Sequence, residues 1–165
     1  MQKRTRQYEV MFLVSQSAAA DFNGLIEHIN ELLGRAHAEV VAMKKWDERR
    51  LAFEVDKQKR GVYILAYIRC DTQDVAHLER DCNISERILR CMILEAEHLT
   101  EEEMKSADAR EDLRVEARLR AERAAKEAET QGPAVTIGAP QAEDEGEGDE
   151  AGAEDDSGES GETTN

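Results

Sequence analysis

The chain has no run of about 18 consecutive apolar residues, so no membrane-spanning helix is written into its 165 residues. One soluble domain with appendages is expected. The N-terminus, MQKRTRQYEVMFLV, puts cations ahead of apolar residues, but the apolar part is short and alternating, and no small-residue cleavage site follows. A secretory signal is therefore not expected. Cysteine is scarce. Cys70, Cys82 and Cys91 form an odd set without a C-x-x-C pair, and no His stands at metal-ligand spacing from them. They read as small core or surface residues in a reducing, cytoplasmic setting, with no metal and no cofactor.

Catalytic signatures are missing as well. His28, His37, His77 and His98 are scattered and have no Ser or Cys partner in a local nucleophile motif. An acylphosphatase-like hydrolase would need an Arg in a phosphate-cradling loop after its first strand, and SQSAAADFNG has none. A soft-metal carrier of similar topology would want paired Cys there. No catalytic residue, small-molecule substrate or enzymatic activity is expected.

The net charge of −15 is unevenly placed. Residues 1–99 hold 15 Lys/Arg against 16 Asp/Glu, residues 100–130 hold 7 against 10, and residues 131–165 hold 0 against 11. The acidity therefore sits mostly in the tail. That division suggests a folded head at 1–99, a charged helical extension at 100–130 and a disordered acidic tail at 131–165. From Gly132 onward, Gly, Pro, Ala, Ser and acids leave too little apolar surface to offset the entropy of ordering.

Within the head, YEVMFLV (8–14) suits a strand. Ser15 and Ser17 offer N-caps to a helix carrying Phe22, Leu25, Ile26, Ile29, Leu32 and Leu33, with Gly34 as its terminator. AEVVAMKKW (38–46) and RRLAFEV (49–55) are β-type runs that one long bent strand could join. DKQKRG reads as a charged turn before VYILAYIRC (62–70). Asp71 or Thr72 caps a helix bearing Val75, Leu78 and Cys82, and ERILRCMILEAE (86–97) returns to strand character. The order β-α-β-β-α-β predicts an α+β, ferredoxin-like sandwich: a four-stranded antiparallel sheet behind two helices, strands one and three central. Thr100 and Glu103 form a capping-box signature for a solvated helix with Glu116–Arg120 and Glu122–Lys126 pairs. Its apolar residues Met104, Leu113, Val115 and Leu119 make no stripe, so it is expected to add little to the core.

Arg49 and Arg50 stand at the mouth of an apolar run, with Lys44 and Lys45 before them and Lys57, Lys59 and Arg60 after. On an extended strand Arg49 shares a side with Leu51, Phe53 and Val55. Such a cluster suits phosphate, which Arg grips through a planar fork. It is equally the charged hairpin of a sheet that resists edge aggregation. Lys3, Arg4 and Arg6 make a short basic arm leading into strand one. If Val10, Phe12, Val62, Ile64 and Ile68 point at the helices, then Met11, Leu13, Tyr63, Leu65 and Tyr67 point away. That second face suits a protein partner or stacked bases, unless the C-terminal helix folds over it.

QYEVMFLV, ERRLAFEV, KRGVYILAYI and NISERILRCMIL, in that order and spacing, resemble the family of the sixth protein of the bacterial small ribosomal subunit. The resemblance covers about residues 6–99. Asp47–Glu48 depart from the Gly or basic residue frequent before the Arg pair, and Glu54 replaces a usual Pro. The resemblance implies a non-catalytic ribosomal protein of the cytoplasm that binds the central domain of small-subunit ribosomal RNA together with ribosomal protein eighteen. It places Arg4, Arg6, Tyr8, Arg49, Arg50, Arg87 and Arg90 in positions of interest, with Tyr8 mostly core. Arg90 is expected to share a strand face with Ile88 and Met92; Arg87 and Arg90 are either phosphate contacts or solvated strand residues. With the hairpin cations, the expected RNA-binding set is Arg4, Arg6, Lys45, Arg49, Arg50, Lys59, Arg60, Arg87 and Arg90. The alternative is a protein-interaction or regulatory domain that does not bind RNA.

Overall fold

The computed structural model describes residues 4–130; the acidic tail and Lys3 lie outside the described residues. Its elements are β1 (Thr5–Ser15), α1 (Phe22–Arg35), β2 (Glu39–Val55), β3 (Gln58–Asp71), α2 (Thr72–Ile84), β4 (Ile88–Glu95), α3 (Glu101–Ser106) and α4 (Arg110–Thr130). The strands form one antiparallel sheet in the order β2-β3-β1-β4, with β1 and β3 central. This is the ferredoxin-like α+β arrangement that two right-handed β-α-β halves produce. Alternation along the strands sends Val10, Phe12 and Val14 of β1 and Val62, Ile64 and Ile68 of β3 into one buried cluster. There they meet Phe22, Leu25, Ile29, Leu32 and Leu33 of α1 and Leu78 and Cys82 of α2. Tyr8 belongs to the same cluster, its hydroxyl 3.4 Å from Thr72 Oγ1.

Several starts and stops differ from the sequence reading. Neither Ser15 nor Ser17 caps α1. A tight 3-10 turn at Ala18–Ala20 intervenes, and Asp21 accepts the Gly24 N–H at 3.1 Å to start the helix. Nor does Gly34 stop it. The helix runs through Gly34 to Arg35, and His37 adopts the left-handed conformation (φ 51°). Its N–H donates to Gly34 O (3.0 Å) while Ala38 N–H donates to Leu33 O (2.9 Å), the paired bonds of a Schellman stop. The charged turn is shorter than DKQKRG: Asp56 and Lys57 alone make it, both at positive φ (48° and 63°), and Gln58–Arg60 already belong to β3. A two-residue hairpin with both central residues left-handed follows the twist of its strands but strains any side chain other than Gly, Asn or Asp at the second position. Lys57→Gly is therefore expected to stabilise the fold by about 1 kcal/mol, read as a higher denaturant midpoint at unchanged slope.

The C-terminal extension corrects the sequence reading most. Thr100 and Glu103 do make a capping box. However, the helix breaks after Ser106, and both Met104 and Leu113 are buried (0% and 3% exposed). The break runs along the open edge of the sheet: Asp108 Oδ1 accepts the Met43 N–H and Ala109 N–H donates to Met43 O, each at 3.0 Å. Edge strand β2 is thereby capped where another chain could otherwise add on. α4 then lies on the helical side, with Leu113 inside the inner cluster and Ala117 packed against it. α3 sits on the opposite face, where Glu101 reaches Arg69 at 2.7 Å. Glu122 pairs with Arg118 (3.0 Å) rather than with Lys126.

Candidate nucleic-acid interface

The site is shaped by irregular pairing of β2 with β3. The register slips between Val40 and Ala42, between Lys45 and Asp47, and between Arg50 and Val55. Each slip inserts residues that have no cross-strand partner and bends the strand. The second sends Lys45, opposite Ile64, to the helix-covered face, whereas Asp47 and Arg49, opposite Tyr63 and Gly61, lie on the outer face. The third leaves Leu51 to Glu54 against Lys59 alone. At Gly61 a Cβ would stand 2.5 Å from Leu13 Cδ1 and 3.2 Å from Leu51 Cδ2, so its missing side chain lets those two leucines close over the strand.

On the outer face, Met11, Leu13, Leu51, Phe53, Tyr63 and Met92 line an apolar depression of about 270 Å³, with Arg90 at its border. Phe53 is 70% exposed. Of the expected partner set, Met11, Leu13 and Tyr63 line this depression. Leu65, opposite Lys44, is 4% exposed and offers a partner almost nothing. Tyr67 is half-buried; desolvation and the opposing Glu9 raise its pKa above that of an ordinary phenol. Leu51, Phe53 and Met92 complete the surface. For the first two the alternation in RRLAFEV was the available signal.

The expected RNA-binding cations divide into two groups. Lys45 is withdrawn on the inner face between Glu48 (2.8 Å) and Glu116 of α4 (2.7 Å). Arg6 is paired with Glu95 at 2.7 Å and with Glu97 at 3.6 Å; the Glu95 hydrogen bond, with both carboxylate charges, raises its pKa further. Lys59 is 3.4 Å from Glu54, and Arg87 donates to Gly24 O at 2.9 Å. Arg4, Arg50, Arg60 and Arg90 are exposed and have no ion-pair partner among the described residues; Arg50 and Arg60 stand directly opposite each other. Arg49 is exposed, with Asp47 at 3.4 Å, and its guanidinium lies 5.5 Å from the centre of the Trp46 ring and 5.7 Å from that of Tyr63. The seven-cation cluster is thus split across the sheet. Arg90 also faces differently from the expectation. A bulge at Leu89 turns Ile88 into the core while Arg90 and Met92 face outward. Among the described residues no group of His, Cys, Asp or Glu is placed to hold a metal, and no helix is long and apolar enough to cross a membrane.

With one face covered by α1, α2 and α4 and the other part-covered by α3 and part open at an apolar depression that Arg90 helps to line, the molecule is a ferredoxin-like domain with an exposed outer surface. The ribosomal protein S6 family model matches residues 7–95, and the chain belongs to that family. It is 31% identical over 90 residues to small ribosomal subunit protein bS6 of Fusobacterium nucleatum, spanning 54% of this chain and 96% of the relative. With bS6 of Desulforamulus reducens it shares 33% over 90 residues (54% and 95%), and with that of Campylobacter jejuni 30% over 97 residues (58% and 78%). The crystal structure of 30S ribosomal protein S6 from Thermotoga maritima superposes with a TM-score of 0.53 at 25% identity, covering 62% of this chain and 98% of that one. The family is a structural, non-enzymatic one, and the chain's role is that of a small-subunit ribosomal constituent. The family match stops at residue 95, ahead of α3 and α4.

Proposed function

We propose that this chain binds the central domain of small-subunit ribosomal RNA together with ribosomal protein eighteen. In this reading residues 1–99 are the ribosomal head, 100–130 a helical extension and 131–165 an acidic tail. The observation that carries the reading is the outer face itself, an apolar depression with Arg90 in its lining and Arg49 over the ring of its Tyr63, while Arg50 and Arg60 on the adjoining hairpin have no ion-pair partner among the described residues. Guanidiniums with no ion-pair partner among the described residues keep their fork for phosphate, and the depression accepts apolar side chains of a protein partner. Arg4 extends the charge from the start of β1. Arg6, Lys45, Lys59 and Arg87, each occupied within the chain, contribute only by exchanging a partner they already have, and Arg49 must likewise loosen its 3.4 Å pair with Asp47.

Arg49→Ala combined with Arg50→Ala is expected to weaken RNA binding and to reduce the slope of log affinity against log salt by about two, roughly one for each phosphate no longer gripped. An unchanged slope would remove both residues from the interface. Occupation of Lys45 and Arg6 by the chain's own carboxylates favours the second reading, a protein-interaction domain that leaves RNA alone. Co-sedimentation of the chain with the small ribosomal subunit, lost on stripping the RNA, separates the two.

A further inference from the structure

We propose that Trp46, Tyr63 and Arg49 form a stacking site for one unpaired nucleobase of RNA; this deepens the RNA-binding reading and rests on it. The chain has seven aromatic residues, one Trp, three Tyr and three Phe. Tyr8, Phe12 and Phe22 are spent in the core. Trp46 is not: it remains 48% exposed at the second slip of β2, where it has no cross-strand partner on β3. Leaving half an indole in water sacrifices burial that any inward-facing register would have gained.

Its surroundings specify the ligand. Tyr63 meets the indole edge to face, with ring centres 5.7 Å apart and planes at 78°. The Arg49 guanidinium lies over both rings, at 5.5 and 5.7 Å. Held there by the electron-rich ring faces and by Asp47 at 3.4 Å, its charge stands beside whatever rests on the remaining open indole surface. Lys44, opposite Leu65, lies on the same outer face and has no ion-pair partner among the described residues, whereas Arg50 and Arg60 alternate to the other side of the sheet. An aromatic platform with one guanidinium over it and the Lys44 ammonium on the same face matches a base with an adjoining phosphate. A protein side chain fits less well. Tyr63 lines the apolar depression but Trp46 does not, and the neighbours of Trp46 along the strand are Lys44, Lys45, Asp47, Glu48 and Arg49, all charged.

Trp46 is the chain's single Trp, so its fluorescence reports this site alone. The full-length chain is titrated with a single-stranded RNA of about twelve nucleotides and with an abasic ribose-phosphate strand of equal length. The base-bearing strand is expected to quench Trp46 emission and the abasic strand to leave it unchanged. By anisotropy of labelled RNA, Trp46→Leu should bind the base-bearing strand about 5- to 100-fold more weakly with the same salt slope, and Trp46→Phe, which keeps a ring, should restore most of the loss. The stacking site is overturned, with RNA binding intact, if the base-bearing strand binds without altering emission or if Trp46→Leu binds both strands like the parent. It is also overturned if emission responds to ribosomal protein eighteen and not to RNA. If neither strand binds at low salt, the RNA-binding reading falls with it.

Discussion

Met104→Ala and Leu113→Ala are each expected to destabilise the protein by about 2–4 kcal/mol in urea denaturation, although both residues lie beyond the family-matched segment. Met104 is fully buried and Leu113 nearly so, and alanine at either site leaves a cavity that the sheet and its edge cannot readily close. The two residues sit on opposite sides of the sheet. Leu113 joins the inner cluster, whereas α3 lies on the outer face beside Arg69. Sites so separated share no cavity, so the double variant should show nearly the sum of the two losses. A typical domain is stable by only about 5–15 kcal/mol, so the double variant should be close to unfolding at room temperature. Val115→Ala and Leu119→Ala are the controls: at 56% and 48% exposed they should each change stability by less than about 0.5 kcal/mol. Losses below that level for Met104→Ala would mean that α3 contributes no packing.

The same residues show where the sequence was legible. Strand parity, the capping box at Thr100 and the central position of β1 and β3 could all be read, because each depends on spacing within a few residues or on the handedness of a connection. The C-terminal extension was misread because a single-helix pattern was sought in two helices. Met104 and Leu113 belong to different elements facing opposite sides of a sheet, so no one helical wheel aligns them. The slips of β2 depend on β3 and have no local signature, and with them went the true facing of Lys45. Its partner Glu116 is 71 positions away. The outer apolar face was half legible: alternation picked out Met11, Leu13 and Tyr63 and set Phe53 on the side of Arg49, while the facing of Met92 and Arg90 depends on the bulge at Leu89. His37 and Lys57 at positive φ carry side chains where glycine would be the signal, so the sequence placed the end of α1 within one residue and the turn after Val55 but not the residues that take the left-handed conformation.

Arg120→Ala is expected to cost about 2–3 kcal/mol at neutral pH and less in acid, as read by denaturation across a pH series. Arg120 Nη2 donates to both Glu48 and Glu116 at 2.6 Å, Nε to Glu116 and Nη1 to Ala19 O at 3.0 Å each, and the group lies 4.8 Å over the Phe22 ring. Lys45 closes the arrangement from the other side, making an alternating set of two cations and two carboxylates. Removing Arg120 leaves two half-buried carboxylates on one ammonium and the Ala19 carbonyl without its donor. Arg120→Lys restores charge but not the planar fork that reaches three acceptors, so it should recover less than half of the loss. The Lys45 hydrogen bond, aided by the charge of Arg120, holds the Glu48 carboxyl below the usual glutamate value of 4.5 against the opposing effect of burial. A carboxyl depressed by folding stabilises fully above its unfolded pKa and loses that contribution as pH falls through its folded one. The parent should therefore lose more stability than Arg120→Ala between neutrality and about pH 3, and the gap between them should narrow. A gap that stays constant over that range would show that Arg120 acts by packing on Phe22 and not through its carboxylates.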